Sequence, residues 1–225
     1  MKVFTLREEL LGKKVYKDKR LEGLREKFHP AKLTFISVEF SQDKENCDCL
    51  LVSKEELLDL IIEDMDKCER LILRKGEGKE KEILEKVNSI LNKEKPLSCE
   101  LNREEIEEIA GYSFITTKPV VFFREAEINS LLEDIFKKVG VIFFFTVNKN
   151  EAKAWQVKEN TSILDCAAKI HTDLARGFIR GEVFNIKDLG NFRNLEEARQ
   201  KKILKVVDKD YVVCDGDVIN IRFKV

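Results

Sequence analysis

Between Ser53 and Arg74, apolar residues recur at Leu57, Ile61, Met65, Cys68 and Ile72, at steps of four, four, three and four. That period predicts one long amphipathic helix with a single buried stripe. Ser53 followed by Glu56 has the capping-box spacing, in which a hydroxyl and a carboxylate satisfy amides left unpaired at a helix start. Gly76 and Gly78 interrupt the stripe, and Ile83, Val87, Ile90 and Leu91 resume it. Two helices joined by so short a glycine turn should fold back as an antiparallel hairpin over residues 54–94. Between Lys54 and Lys95 its outer faces carry ten basic and twelve acidic residues. This near balance reads as solvated faces laced with i,i+4 pairs, with a protein partner along the hairpin as the alternative.

Around the hairpin the pattern changes period. Leu21, Leu24 and Phe28 share one face of a helix over 19–28, and His29-Pro30 stops it, because a residue before proline avoids the helical region. Residues 33–40 (LTFISVEF) alternate as a strand with one break in phase, and Leu50–Val52 is a shorter strand. A short helix over 102–110 is capped by Asn102, and Val120–Phe123 reads as a buried strand. An amphipathic helix over 127–139 ends at Gly140. The rest predicts strands at 141–147 and 154–157, a helix from Ser162 to about Asp173, and a strand at 178–184. A basic helix-like stretch at 194–205 and strands at 211–214 and 218–223 complete it, the last two joined by the turn Asp215-Gly216-Asp217. Strands wrapped around one helix in this order suggest a β-grasp, ubiquitin-like domain.

The 225 residues divide their charge almost evenly, 41 basic against 42 acidic, so no whole-molecule field would hold the chain to nucleic acid or an anionic membrane. Any such contact must come from a local patch. The longest apolar run, Val139–Val147, falls short of the ~20 residues a membrane helix needs, and the first residues lack the apolar core of a signal peptide. The expectation is a cytoplasmic protein with no membrane partner. Six scattered cysteines suit reduced thiols, and Cys47-x-Cys49, the only close pair, lacks zinc-ligand spacing, so no metal site is expected.

Four stretches are specific: Lys153-Ala154-Trp155, Ile170-His171-Thr172-Asp173, Arg176 to Val183 (RGFIRGEV), and Tyr211 to Phe223 (YVVCDGDVINIRF). Together they resemble the C-terminal TGS-type domain of YchF-type Obg-like ATPases, members of the TRAFAC GTPase class. Upstream, residues 19–40 resemble that family's segment before its switch region, 55–94 its inserted helical hairpin, and 95–123 the stretch ending in its base-recognition strand. The resemblance implies an α/β (α+β) chain of two domains. Residues 1–140 would be a reduced P-loop-GTPase-like sheet remnant carrying the hairpin, and 141–225 a TGS β-grasp domain.

The family's nucleotide site needs a G-x-x-x-x-G-K-[ST] loop, whose glycines let successive amides wrap phosphates while Lys and the hydroxyl serve phosphate and Mg²⁺. Here the nearest candidate is Gly12-Lys13-Lys14, with Arg7 at the first glycine position and Lys14 at the hydroxyl position. Gly76-Glu77-Gly78-Lys79 has the wrong spacing. Where the family continues with D-x-x-G this chain has Ser41-Gln42-Asp43-Lys44, and where it has N-x-x-E this chain has Arg124-Glu125-Ala126-Glu127. Asn148-Lys149-Asn150-Glu151 looks like a guanine-reading motif but aligns with a hairpin turn. The expectation is therefore a degenerate, non-catalytic relative with no cofactor. The alternative is a divergent hydrolase binding ATP or GTP with Mg²⁺.

The resemblance implies partners in translation: the ribosome, rRNA or tRNA. Residues 146–225 carry fifteen basic and twelve acidic side chains, so this part is mildly positive. The contact candidates are His171, Arg176, Arg180, Arg193, Arg199, Lys201, Lys202 and Lys205, the last three being the densest group. His171 reads first as a helix-terminus residue shaping the next loop, since neither nucleophile nor pocket signature stands beside it. Trp155 and Phe143–Phe145 read as core rather than as a base-stacking platform.

Overall fold

The computed structural model describes residues 1–74 and 77–224. The chain begins with strand β1 (Lys2–Phe4), a 3-10 turn at Glu8–Leu10, and strand β2 (Gly12–Tyr16). Helix α1 (Arg20–Phe28) and strand β3 (Lys32–Thr34) follow, then β4 (Ile36–Ser41) and β5 (Cys49–Val52). The long helices α2 (Lys54–Arg74) and α3 (Lys79–Leu91) precede the short α4 (Leu97–Glu100) and α5 (Arg103–Glu108). Strand β6 (Val120–Phe122), helix α6 (Ile128–Val139), and strands β7 (Val141–Val147) and β8 (Glu151–Lys158) come next. Helices α7 (Ile163–Ile170) and α8 (Thr172–Arg176) lead into β9 (Phe178–Asn185), α9 (Leu195–Gln200), β10 (Lys205–Val207) and β11 (Asp217–Phe223).

These elements form two compact units, Met1–Lys14 with Ser37–Val139, and Val15–Ile36 with Gly140–Val225. The first is built on a five-stranded sheet in the order β2-β4-β1-β5-β6, in which β4, β1, β5 and β6 run parallel. β5 is buried along its whole length, as a parallel strand covered on both faces must be. The capping box at Ser53 is present. The Glu56 carboxylate accepts from the Ser53 N–H at 2.7 Å, and the Ser53 hydroxyl from the Glu56 N–H at 3.2 Å. Helices α2 and α3 share one core through Leu60, Ile61, Leu84, Val87 and Leu91, and the Cys68 thiol donates to the Leu84 carbonyl at 3.2 Å. Of the two glycines expected to break the stripe, Gly76 lies outside the described residues. Gly78 is the N-cap of α3, with φ 141°.

In the middle of α2 the Asp64 carboxylate, 1 % exposed, points into this core. It accepts from the Ile115 N–H (2.9 Å), the Thr116 N–H (2.8 Å) and the Thr116 hydroxyl (2.7 Å). The segment leading into β6 is thus pinned to the helix by a polar contact the periodicity does not show. Asn102 caps α5 with Glu105 as its capping-box partner, and Gly140, at φ 66°, ends α6 in the left-handed conformation.

The second unit has a six-stranded sheet in the order β10-β9-β11-β7-β8-β3. β11 lies antiparallel to β9 and parallel to β7, so the last strand is inserted between earlier ones. Alternation along β7 divides its phenylalanines. Phe144 packs with Ile163 and Cys166 of α7, while Phe143 stacks on Tyr16 and, with Phe145, lies under the Arg20 guanidinium. All three are core, 5 % exposed or less.

Residues 15–36, expected in the first domain, group with the second unit for identifiable reasons. Arg20 pairs with Asp18 at 2.8 Å and Asp215 at 2.6 Å, and Lys27 donates to the carbonyls of Leu189, at 2.7 Å, and Phe192. Phe28 packs on Phe184, and β3 pairs with β8. The expected strand over 33–40 is therefore two strands in two sheets, divided at its phase break.

Three further expectations change. The helix expected from Ser162 to Asp173 stops at His171, whose extended backbone caps α8. The helix-like stretch at 194–205 ends after Gln200, because Lys202 takes φ 58° and the N–H groups of Ile203 and Leu204 turn back to the Ala198 carbonyl. Residues 211–214 form only an isolated bridge, Ser162–Val212. The Asp217 carboxylate holds them instead, accepting from the Tyr211 hydroxyl and the Cys214 N–H, both at 2.9 Å. Gly216, at φ 88°, makes the bend that sends β11 to β9 rather than back along 211–214.

Candidate functional site

At the ends of the parallel strands, the residues expected to matter for nucleotide chemistry have other occupations. After β1 the chain passes through the 3-10 turn into β2, so Gly12-Lys13-Lys14 lies on a strand. A phosphate cradle needs amides converging at a helix start. Arg7 pairs with Glu56 at 3.2 Å and lies over the Phe123 ring. Past β4, the Asp43 carboxylate accepts from the Asn46 side chain and from the Asn46 and Glu45 backbone N–H groups, which hold it below the ordinary carboxylate range. Beyond β6, Arg124 is bound to Asp134 at 2.7 Å and to Ser130 at 2.9 Å. A groove of about 270 Å³ opens beside Phe4, Leu6 and Gln42 and is lined by the carboxylates of Glu56, Asp59 and Glu63, with Lys44 paired to Glu63. Glu56 is paired with Arg7 and Glu63 with Lys44, so Asp59 leaves the groove a small excess of negative charge.

The other motifs are equally occupied. Asn148 of the guanine-like Asn148-Lys149-Asn150-Glu151 spends its side-chain oxygen on the N–H groups of Asn150 (2.8 Å) and Glu151 (2.9 Å), closing the β7–β8 turn. Cys47 and Cys49 are buried, and burial pushes both thiols up, Cys49 to about 12, away from the thiolate that binds metal. Among the described residues no group of three or more His, Cys, Asp or Glu side chains is arranged to hold a metal ion. No described helix is long and apolar enough to cross a membrane.

The eight contact candidates all fall in the second unit, where several are held by specific partners. His171 and Arg176 gather around Asp173. The His171 Nδ1 accepts from the Asp173 N–H at 3.2 Å, and Arg176 stands 4.0 Å from that carboxylate. Of the Lys201, Lys202 and Lys205 group, Lys201 is tied to Glu197 (2.6 Å) and to the Asn191 carbonyl (3.0 Å). Lys202 sits at the left-handed helix end, and Lys205 opens the edge strand β10. The Arg193 N–H donates to Glu197 at 2.7 Å.

Arg199 and Arg222 are brought together by Glu182, a residue given no role of its own in the sequence analysis. Glu182 on β9 is 4 % exposed, and one of its oxygens accepts from both Arg199 (2.9 Å) and Arg222, while the other accepts from Asn220 (3.0 Å). Burial alone would raise its pKa, but the hydrogen bonds from Arg222, Asn220 and Arg199 hold it below the usual range. Arg222 lies directly opposite Arg180 in the β9–β11 ladder, and Arg180 pairs with Asp208 at 2.6 Å. The only signal for Arg222 is the alternation Ile219-Asn220-Ile221-Arg222, which gives β11 a polar face without saying what it meets.

A five-stranded sheet in which β4, β1, β5 and β6 run parallel and a six-stranded mixed sheet in the same chain define a two-unit α/β protein. Residues 141–224 match the family YchF-GTPase_C, described as "Protein of unknown function (DUF933)". Over parts of its length the chain is similar to YchF-type proteins. It is 28 % identical over 233 residues to the "Ribosome-binding ATPase YchF" of Haemophilus ducreyi, covering 74 % of this chain and 64 % of that one. It is 33 % identical over 98 residues to the protein of the same name from Mycoplasma genitalium, covering 44 % and 27 %, and 31 % identical over 134 residues to that of Bacillus subtilis, covering 60 % and 37 %. The chain thus matches between about a quarter and just under two thirds of these relatives' lengths. The solved structure of the Schizosaccharomyces pombe YchF GTPase superposes with a TM-score of 0.78 over 93 % of this chain and 86 % of that one. At 16 % identity, that match establishes the fold.

Proposed function

We propose that this chain is a ribosome-associated binding protein that works through its C-terminal unit and does not turn over ATP or GTP. The carrying observation is the path after β1, a strand where a triphosphate needs a glycine-rich loop and a helix start. The acidic groove beside it supports the same reading, and on this view the chain carries no nucleotide or Mg²⁺ and is cytoplasmic. Ribosome association is carried over from the names of the relatives. The order β8-β7-β11-β9-β10 around α7 supports assigning residues 141–225 as a TGS-type β-grasp domain, with α2 and α3 as the family's helical hairpin.

Purified ribosomes should retain the chain in co-sedimentation, with loss as salt rises, because phosphate contacts release counterions. Reversing Lys201, Lys202 and Lys205 to Glu is expected to weaken retention by roughly tenfold or more at low salt. Retention equal to wild type would remove this cluster from the interface. The relatives' name also favours a second reading, a divergent hydrolase. Calorimetry with ATP or GTP and Mg²⁺ decides between them: no binding heat is expected, and micromolar binding of either nucleotide would reinstate the hydrolase.

A further inference from the structure

The β9–β11 ladder places two arginines face to face, an arrangement that costs stability unless something compensates it. Arg180 and Arg222 are cross-strand partners, and Arg199 reaches the same spot from α9. All three arginine side chains are about half exposed, at 51 %, 54 % and 48 %. Beneath them Glu182 is almost wholly buried, and a single oxygen of it takes a hydrogen bond from both Arg199 and Arg222. A guanidinium presents five donors in a rigid fork, so an arginine anchored by one nitrogen keeps others directed outward. The carboxylate therefore sets the direction of two forks at once, and Asp208 sets that of the third. Against three positive groups stand two carboxylates, one of them buried, so the outer face keeps net positive charge.

Such an array suits a tetrahedral dianion or a phosphodiester, whose oxygens accept parallel N–H bonds. Next to it a recess of about 140 Å³ is lined by Phe184, Leu195, Leu204 and Val218, with Glu182 and Asn220 at its polar side. A free phosphate has no use for an apolar recess, whereas a nucleotide in a strand places its base or sugar beside its phosphate. We propose that Arg180, Arg199 and Arg222 form a clamp for a backbone phosphate of single-stranded RNA, with Glu182 as the positioning residue. This rests on the reading of the C-terminal unit as the ribosome-facing part, and its test does not need the ribosome.

The full chain is titrated with a uridine dodecamer, and in parallel with inorganic pyrophosphate, while the arginine Nε–H resonances are followed by NMR. The expected result is saturable dodecamer binding that shifts Arg180, Arg199 and Arg222, with pyrophosphate binding at least tenfold weaker. Arg199→Lys with Arg222→Lys keeps the charge and loses the forks, so affinity should fall roughly tenfold with little change in salt slope. Glu182→Gln separates positioning from charge. Removing a carboxylate raises the net positive charge and would tighten a purely electrostatic contact, whereas loss of the anchor should weaken binding severalfold. Tighter binding by Glu182→Gln, equal binding by the double lysine variant, equal affinity for pyrophosphate, or dodecamer binding that leaves the three arginines unshifted would each overturn the clamp. So would absence of dodecamer binding. If ribosomes fail to retain the chain while the dodecamer shifts the three arginines, ribosome association falls and the clamp stands. If ribosomes retain the chain while the dodecamer leaves the arginines unshifted, the clamp falls and ribosome association stands.

Discussion

Asp64→Ala is expected to lower the stability of the first unit by roughly 3 kcal/mol or more, read as a fall in the denaturation midpoint with little change in slope. The carboxylate takes three hydrogen bonds from Ile115 and Thr116 at a fully buried point, and the Thr116 hydroxyl also stands 3.5 Å from the first N–H of α4. Alanine leaves two backbone donors and a hydroxyl unpaired, each costing about 1–3 kcal/mol when buried. Asp64→Asn should cost less, since one oxygen acceptor remains. The pH dependence separates the two contributions of this carboxylate. Burial raises its pKa, outweighing the hydrogen bonds from Thr116 and Ile115, so the folded chain holds the proton more tightly than the unfolded chain does. The stability that proton brings is full below the unfolded value of about 4 and is lost as pH rises through the folded value. Wild type should show this decline and Asp64→Asn should not. A parallel pH profile for both would remove Asp64 as its source.

Phe144→Ala should destabilise the second unit by about 3–5 kcal/mol, the range for a large aromatic removed from a closed core. Phe144 is fully buried between the sheet and α7, against Ile163, Cys166, Val183 and Ile219. It is also stacked on Trp155, with ring centroids 6.0 Å apart and planes 6° from parallel. Such a pair adds roughly 0.5–1.5 kcal/mol beyond the buried area. The substitution therefore opens a cavity and removes a stacking partner together, and the shared apolar residues of sheet and helix cannot close the gap without leaving their rotamers. Urea denaturation followed by Trp155 fluorescence reads the unit directly, because that indole is the only one in the chain. A loss below about 1 kcal/mol would mean that the core collapses onto the space instead of holding its packing rigidly.

Much of the architecture was legible where the determining contacts are local. The α2 stripe, the capping box at Ser53, the Asn102 cap and the glycine end of α6 were all visible in short windows. Elements shorter than the periodicity window were not: β1 and β2 are three and five residues long and alternate too briefly to stand out. The basic candidates were legible as residues but not as a site. Lys201 is absorbed by Glu197, and the arginine group takes its shape from Glu182 and Arg222, whose meeting no local pattern marks.

From its sequence alone, this chain's longer helices, several of their caps, the alternation of its C-terminal strands and its resemblance to YchF-type proteins could be read. The underlying interactions lie within four residues along a helix or alternate along a strand, and the resemblance rests on stretches of matching residues. Tertiary structure alone decided that 33–40 is shared between two sheets, that 15–36 joins the second unit, and that Arg222 stands opposite Arg180 over a buried glutamate. Those outcomes depend on strand register and on which distant face each strand finds. Many pairings satisfy the same local pattern, and only the packing of the whole core selects among them.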